Sequence, residues 1–584
     1  MILFVSPAGP ATSQASSRDK ITGMTYIDNG ATTAAPFDIV INEIMVNPSP
    51  PAGLPEAEYI ELFNRSARAA NLENWTLTIG TGSRLLPGSV TIGPGDFLLI
   101  TNEKYQPLLE PYGDVLGVPA LPVLAKREGT IILRDAVANV ISMVNYSDRW
   151  YGGSRKSEGG WSLEQIDPFN PCGGYTNWKA STDSRGGTPG APNSVAAINP
   201  DNIPPEAVRI TMLSESNIRL HFSKPMHPLS DWSATGYYAE GAGNPLYAIP
   251  VIPFYEAVDL FFGSIFMENT IYNLKTSAAL YDCAGNLLKH GKKLKFAIPE
   301  FPVKNDIIIN EILFNPFPGG TNFIELVNIS GKTLDLKQMM VSGMRHGQQQ
   351  APWPVVPEGY LFFPGEYLVL TTAPDIVMDH YYTPAPESFL ETERMPSMNI
   401  DEGRIIFEDL QGNILEDVSY SSDMHSPLLT GKKGVSLERL GYVLPSYRPD
   451  SWFSAAEASG FATPGYRNSQ SSPSISRISN FLSVEPKIFA PDNSGYDDEV
   501  YINYALDKPG YAGNINIFDA RGRLVRRLVR NELLGTTGHY PWNGRDESGR
   551  VPDIGIYIIL MEIFHPDGDV TTSRESVVLA GRSN

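Results

Sequence analysis

Cysteine is nearly absent: Cys172 and Cys283 are the two in 584 residues. Without a CxxC or a Cys/His cluster a structural zinc site is not expected and a disulfide framework is excluded; the two thiols, in different domains, are expected buried and free, with a bridge between the domains as the less favoured alternative. Histidine is also sparse, eight in all, with no HExxH or HxH pair. No GxSxG elbow, phosphate loop or dinucleotide fingerprint occurs. Carboxylates abound, yet none sits in a recognisable glycosidase context. No enzyme is therefore expected, since function must be argued from a site. Long apolar runs are missing too, and none reaches the roughly 18 residues that a membrane-spanning helix needs. Basic residues are in the minority, 45 against 65 acidic, for a formal charge of -20. Such a surface repels phosphate backbones and anionic lipid heads, so nucleic acid and membrane surfaces are not expected partners. Most of this charge reads as a solvated face.

What is present points to β-structure. The apolar fraction of 42% suffices for several cores, and the length suggests about four domains. With 48 Pro and 52 Gly the chain is turn-rich, and helical runs of Ala, Leu, Glu and Lys are lacking. Residues 1–37 read as the remnant of a signal peptide followed by a polar linker: Met1-Ile-Leu-Phe-Val lacks a basic region, and small residues follow near Ala15.

The decapeptide Ile39-Val-Ile-Asn-Glu-Ile-Met-Val-Asn-Pro48 returns as Ile307-Ile-Ile-Asn-Glu-Ile-Leu-Phe-Asn-Pro316. Four further blocks repeat in the same order. Tyr59-Ile-Glu-Leu-Phe-Asn64 matches Phe323-Ile-Glu-Leu-Val-Asn328, and Gly95-Asp-Phe-Leu-Leu matches Gly365-Glu-Tyr-Leu-Val. Ser162-Leu-Glu164 matches Ser436-Leu-Glu438, and Thr188-Pro-Gly190 matches Thr463-Pro-Gly465. Collinear matches at nearly constant offset mark a duplicated domain. Each block reads as a short strand. In Tyr59–Phe63, Ile60 and Leu62 share one face while Tyr59, Glu61 and Phe63 share the other. Asn64 and Asn328 end their strands, where an Asn side chain bonds the turning backbone. Between the copies, Val208–Met212 and Ile218–Phe222 alternate as strands, Asp282–Asn286 forms a turn, and a strand follows near Leu294–Ala297. The Ser-rich segment 470–485 reads as a linker. From Pro486, strands are predicted at Tyr501–Tyr504, Ile515–Phe518, Ile556–Met561 and Ser576–Leu579.

These blocks resemble the lamin tail domain of bacterial exported proteins, carried by Ile-Asn-Glu-Ile with Asn-Pro, Tyr-Ile-Glu-Leu-Phe-Asn and the closing Thr-Pro-Gly. Leu72-Glu-Asn-Trp75 completes the pattern in the first copy; the second has Leu336-Lys-Gln-Met339 and leaves the Trp position empty. The resemblance implies immunoglobulin-like β-sandwiches and a non-catalytic accessory role. The middle segment resembles a bacterial Ig-like domain through Phe222-Ser-Lys-Pro-Met226 and Asp282-Cys-Ala-Gly-Asn286. The last segment is similar to the Ig-like domain of flagellar hook-capping proteins, through Tyr504–Gly510, Trp542-Asn-Gly-Arg-Asp546 and Ile554-Gly-Ile-Tyr557. That last resemblance implies export, with type IX secretion as one route and this domain as a sorting or docking module.

Two loops are candidate sites. In Asp492-Asn-Ser-Gly-Tyr-Asp-Asp-Glu499, oxygen ligands at alternate positions with a Gly at the turn suit a hard cation. Asp492, Ser494, Asp497 and Asp498 would hold Ca2+; the bland alternative is an acidic turn bonding its own backbone. In Ser147-Asp-Arg-Trp-Tyr-Gly-Gly153, an exposed Trp150-Tyr151 pair would stack on a sugar ring or anchor a partner, against the alternative of an aromatic lid on the sandwich. Asp148 and Asp423 read as turn-forming, Trp542 as the plug of the last core, and Arg521–Arg530 as a strand with one solvated basic face.

The expected architecture is all-β, a tandem of immunoglobulin-like β-sandwich domains: lamin-tail-like 38–195, Ig-like 201–300, lamin-tail-like 306–469, linker 470–485 and hook-capping-like 486–584. The expected function is that of a secreted or cell-surface adhesion or scaffold protein, whose partners are an extracellular protein or polysaccharide and, through its last domain, secretion machinery. A calcium-dependent carbohydrate-binding accessory, or the tail of a longer exported hydrolase, stands as the alternative.

Overall fold

A computed structural model describes residues 34–153, 155–345, 347–471, 481–492 and 494–581. Most of the segment expected as a signal-peptide remnant and linker, and residues 472–480 of the second expected linker, lie outside the described residues.

Each repeat is two sheets packed over one core. In the first, the central strand Ile39–Met45 pairs with Tyr59–Asn64 on one side and Leu163–Gln165 on the other. Trp178–Ala180 and Phe97–Asn102 extend the sheet, and Val115–Val118 closes it with a parallel pairing to Phe97–Asn102. The opposing sheet runs Val140–Ser147, Glu128–Arg134, Thr76–Ile79, Gly82–Leu85. The second repeat lays down the equivalent six-stranded sheet around Ile307–Leu313, again with one parallel edge, Phe389–Glu391.

Register agrees to the residue. Ile39 faces Asn64 and Ile307 faces Asn328, and both ladders shift at the same place, between Ile41 and Glu43 and between Ile309 and Glu311. The cause is visible in the strand: Ile39, Ile41 and Ile44 all point into the core, so the two-residue period slips by one at Asn42. A bulge absorbs the extra residue and re-aims its neighbours. Asn64 ends its strand as expected: its amide donates to Arg68 O and Ile92 O while its oxygen accepts from the Ser66 N–H. Asn328 repeats this with Lys332, Phe362 and Ser330. Where the first copy buries Trp75, the second buries Met339.

The middle unit has a four-stranded sheet, Ala207–Ser214, Asn217–Phe222, Ala257–Phe261, Tyr247–Pro250, facing the three strands Tyr237–Ala239, Tyr272–Thr276 and Leu294–Phe296. The last unit faces Leu482–Glu485, Val500–Ala505 and Thr537–Trp542 against a five-stranded sheet, with Trp542 fully buried between them. Leu482–Glu485 corrects the expected linker 470–485: it is an edge strand paired with Val500–Ala505. Gln470 is also fixed, buried, with its amide donating to Leu534 O. At the other end Phe37, placed in a linker, is buried, and its N–H donates to Ile141 O.

The cysteines give the largest correction. Cys172 and Cys283 form a disulfide, with Cα atoms 5.8 Å apart, rather than two free thiols. They do belong to different units, but the loop after Leu163–Gln165 and the turn at Asp282 meet where those units pack. Phe37, Val40, Val140 and Met143 of the first repeat there share one apolar cluster with Phe254 and Tyr255. The next junction is also packed: Leu361 and Phe363 of the second repeat lie in the core of the middle unit, and Arg209 donates to Gly359 O at 2.6 Å.

Candidate functional site

The bulge at Asn42 aims a polar cluster at the sheet face away from the sandwich core. Glu43, Glu61 and Glu164 come from three adjacent strands, and none has accessible surface. The segment around Thr188–Ser194 crosses them as a strap. Thr188 donates its N–H to Glu43 Oε1 at 2.9 Å, Gly190 donates to Glu61 Oε2 at 2.6 Å, and the Ser194 hydroxyl donates to Glu164 Oε2 at 2.7 Å. Asn42 donates to Glu61 Oε1, and Asn193 donates to the Asn42 and Gln165 carbonyls. Tyr59 adds its hydroxyl to Glu43 at 2.5 Å.

The second repeat rebuilds the cluster from Glu311, Glu325 and Glu438. Thr463 binds Glu311, Gly465 binds Glu325, and Ser469 binds Glu438. Glycine is required in the strap. Gly190 sits at φ +74°, and a Cβ there would meet Tyr112 O at 2.0 Å.

Geometry assigns a proton to each cluster. The Thr188 oxygen lies 3.1 Å from Glu43 Oε2 and 3.1 Å from Glu164 Oε1. A hydroxyl has one hydrogen, so it donates to one carboxyl; the other contact is a hydrogen bond only when that carboxyl is protonated and donates back. Glu43 accepts from the Thr188 N–H and Tyr59, and Glu164 from Ser194 and the Val195 N–H, so the contacts place one proton on the pair without choosing its holder. Burial, then the Glu164 charge, pushes Glu43 from 4.5 up to about 7, and burial beside Glu438 pushes Glu311 up to about 8. Glu61 and Glu325 are raised well above the usual carboxylate range, first by burial and then by the charge of Glu43 and Glu311 respectively. General acid–base chemistry needs access to its substrate, and these carboxyls are sealed. What they can do is fasten the strap to the sheet while holding a proton.

Of the sequence-predicted site residues, Trp150 and Tyr151 lie in a short 3-10 turn, Asp148–Tyr151, capped by Ser147. Of the two readings of this loop, the structure gives the aromatic lid and not the exposed pair. Tyr151 is buried with its hydroxyl on Trp161 O at 2.9 Å, and Trp150 lies half-buried against Trp178, ring centroids 5.9 Å apart. In the second repeat His425 takes the corresponding buried place, beside Phe314.

In the acidic loop, Asp498 accepts from the Ser494 and Gly495 N–H groups at 3.1 and 2.6 Å, and Asp492 accepts from Ser494 N at 3.0 Å. Ser494 turns its hydroxyl to Tyr496 O. Asp497 holds a left-handed backbone, φ +49°. Asn493 lies outside the described residues. Among the described residues, no group of three or more His, Cys, Asp or Glu is placed to hold a metal ion, and no helix is long and apolar enough to cross a membrane.

A family model of the Lamin Tail Domain matches residues 32–148. Residues 32–148 are thus similar to a lamin tail domain, and the class that the fold defines is an all-β tandem of Ig-like β-sandwiches. No curated protein matches the chain. Among solved structures, CopC from Methylosinus trichosporium OB3b is 16% identical over 18% of this chain and 96% of its own, at a TM-score of 0.14. Dimeric latent PorU from Porphyromonas gingivalis is 11% identical over 70% of this chain and 35% of its own, at 0.15. The N-terminal part of the bacterial S-layer protein SbsC is 10% identical over 38% of this chain and 44% of its own, at 0.16. The chain thus spans about a third of PorU and under half of that SbsC fragment.

Proposed function

We propose that this chain is an exported, non-catalytic scaffold or adhesion protein that works outside the cell or on its surface. The observation that carries the reading is how the units are joined. A disulfide ties the first repeat to the middle unit, and the middle core takes in Leu361 and Phe363 of the second repeat. Gln470 and Thr536 bind the second repeat to the last unit. Packed junctions transmit load and hold surfaces at fixed spacing, which free linkers do not. The disulfide supports an oxidising compartment, and the acidic surface supports solubility there. The partner class is an extracellular protein or polysaccharide, and the last unit serves as the export or docking module, with type IX secretion as its route. Antibody labelling of intact native cells, paired with an adhesion assay on a deletion strain, tests this. Surface label and lost adhesion are expected; label only after permeabilisation, with adhesion unchanged, would overturn it.

The alternative, a calcium-dependent carbohydrate-binding accessory, draws on the ring surface that Trp150 keeps in solvent and on the carboxylates at 492–498. Against it, Asp492 and Asp498 already cap their own loop. Glycan-array binding lost in Trp150→Ala, with calcium raising the melting temperature, would favour this alternative. A longer native polypeptide on an immunoblot would favour the tail of a larger exported hydrolase.

A further inference from the structure

The two repeats are used unequally. In the first, the hairpin turn between Glu128–Arg134 and Val140–Ser147, together with the loop 167–177, receives the Ig-like middle unit through Val140 and Cys172. The second repeat builds the same end by the same chemistry. Asp409 Oδ1 accepts from Gln411 N and Asn413 N as Asp135 does from Val137 N and Asn139 N. Ile414 pairs with Glu408 as Val140 pairs with Arg134. Among the described residues nothing covers this end. Ile414 is 46% exposed where Val140 is 5%, and Val443 and Tyr447 on the equivalent loop are 95% and 74% exposed. Ser446 ties that loop to the hairpin through Asp417 O at 3.2 Å, so the surface is continuous. The last unit does not reach it, being docked through Ser469 and Gln470 instead.

The last unit carries the complementary surface. Its five-stranded sheet buries Tyr557, Ile559 and Met561 on one face, and the alternation leaves Ile554, Ile556 and Ile558 on the other. Cross-strand register widens this row into a patch. Ile556 faces Val578, Val578 faces Ile488, and Ile558 faces Phe518. Ile556 is 55% exposed and Ile488 58%. A contiguous apolar sheet face of this kind marks an interaction surface.

Charge distinguishes the two surfaces. At this end of the second repeat stand Glu408, Asp409 and the Arg448–Asp450 ion pair, a net negative surface. The strand segment beside the isoleucine patch, 521–530, holds five arginines; Arg523 pairs with Asp519 and Arg530 with Glu547, and Arg521, Arg526 and Arg527 keep the segment net positive. We propose that the two surfaces are partners in trans: the uncovered end of the second repeat takes the isoleucine face of the last unit of another copy of this chain. The contact is heterologous, so it leaves one free surface of each kind and extends into a ring or a filament. This goes beyond the scaffold reading and does not depend on where the protein resides.

The test is sedimentation of the full-length chain over a concentration series, at low and high salt. Wild type should gain mass with concentration, less so at high salt. Val443→Asp with Tyr447→Asp, and separately Ile556→Asp with Ile558→Asp, should each raise the apparent dissociation constant at least about tenfold. All four positions are exposed, and circular dichroism checks the fold. An equimolar mixture of the two variants retains one intact pair of surfaces and should form a dimer that stops there. A wild type that stays monomeric to the order of 100 µM, a variant that still associates, or a mixture that remains monomeric would each overturn the proposal.

Discussion

Replacing Glu43 with glutamine should make the first repeat more stable at neutral and alkaline pH and leave it nearly unchanged in acid. The Glu43 carboxyl is raised from 4.5 to about 7, so between those values the folded chain holds a proton that the unfolded chain has released. Stability falls with pH wherever the native state binds more protons. The contribution is fully present below 4.5, declines through the window and is gone above 7. At about 1.4 kcal/mol per pH unit, Glu43 costs the wild type on the order of 3 kcal/mol over that range. Glu311, raised to about 8, should cost slightly more and over a wider window. Glutamine has no proton to lose, and its amide can donate to Thr188 as the protonated carboxyl does. Burial also lowers His227 and His425 to about 4 and His221 to about 3. Those rings remain neutral in the fold, so their contribution is lost as pH falls below 6.5, on the opposite side. Comparing Glu43→Gln with wild type at each pH cancels them. Hydrogen-exchange mass spectrometry from pH 5 to 9, after correction for intrinsic exchange, resolves the two copies by peptide at Ile39–Met45 and Ile307–Leu313. The difference should climb by about 3 kcal/mol and then level off. A difference that is flat across the whole range would mean that Glu43 is ionised in the fold, and would refute the upward shift that burial beside Glu164 gives it.

Three further outcomes are expected. Cys172→Ser should destabilise the junction of the first repeat and the middle unit by about 2–4 kcal/mol, read as a lower melting temperature that reductant reproduces in wild type and does not worsen in the variant. Trp542→Ala, which empties the centre of the last core, should cost about 3–5 kcal/mol in the unfolding transition of that unit and leave the repeats' strands protected from exchange. Arg439 and Glu416 form an ion pair at 2.7 Å, both sides nearly sealed from solvent. Arg439→Met should cost about 3–5 kcal/mol by stranding the carboxylate, and adding Glu416→Leu should recover much of it, which a thermal-melt double-mutant cycle measures.

Strands were legible where apolar alternation and turn residues agreed, as at Val500–Ala505 and Gly555–Phe564. The duplication and the roles of Asn64, Asn328 and Trp542 were legible for the same reason: each depends on local spacing or on a repeat within the chain. The carboxylate cluster was missed because a glutamate alternating with apolar residues normally faces water. Glu61 is buried only because a strap more than 120 residues away in the chain closes over it. A signal was available, since glutamate recurs at three of the matched strands, as Glu43/Glu311, Glu61/Glu325 and Glu164/Glu438, together with the Thr-Pro-Gly and its following Asn. The disulfide was missed because pairing across two units depends on how those units dock, and neither Pro171-Cys172-Gly173 nor Asp282-Cys283-Ala284 carries that information. The lid at Trp150-Tyr151 was legible as the commoner fate of such aromatics, but the residues they fold onto, Trp161 and Trp178, were not, because those lie on other segments.

The most direct test of an exported, cross-tied scaffold is a non-reducing peptide map of the native protein, made by mass spectrometry on separated cell-surface, medium and cytoplasmic fractions. A Cys172–Cys283 linked peptide, recovered from the surface or the medium, is the predicted result. Free thiols at both positions in a cytoplasmic chain would contradict both the junction and the compartment.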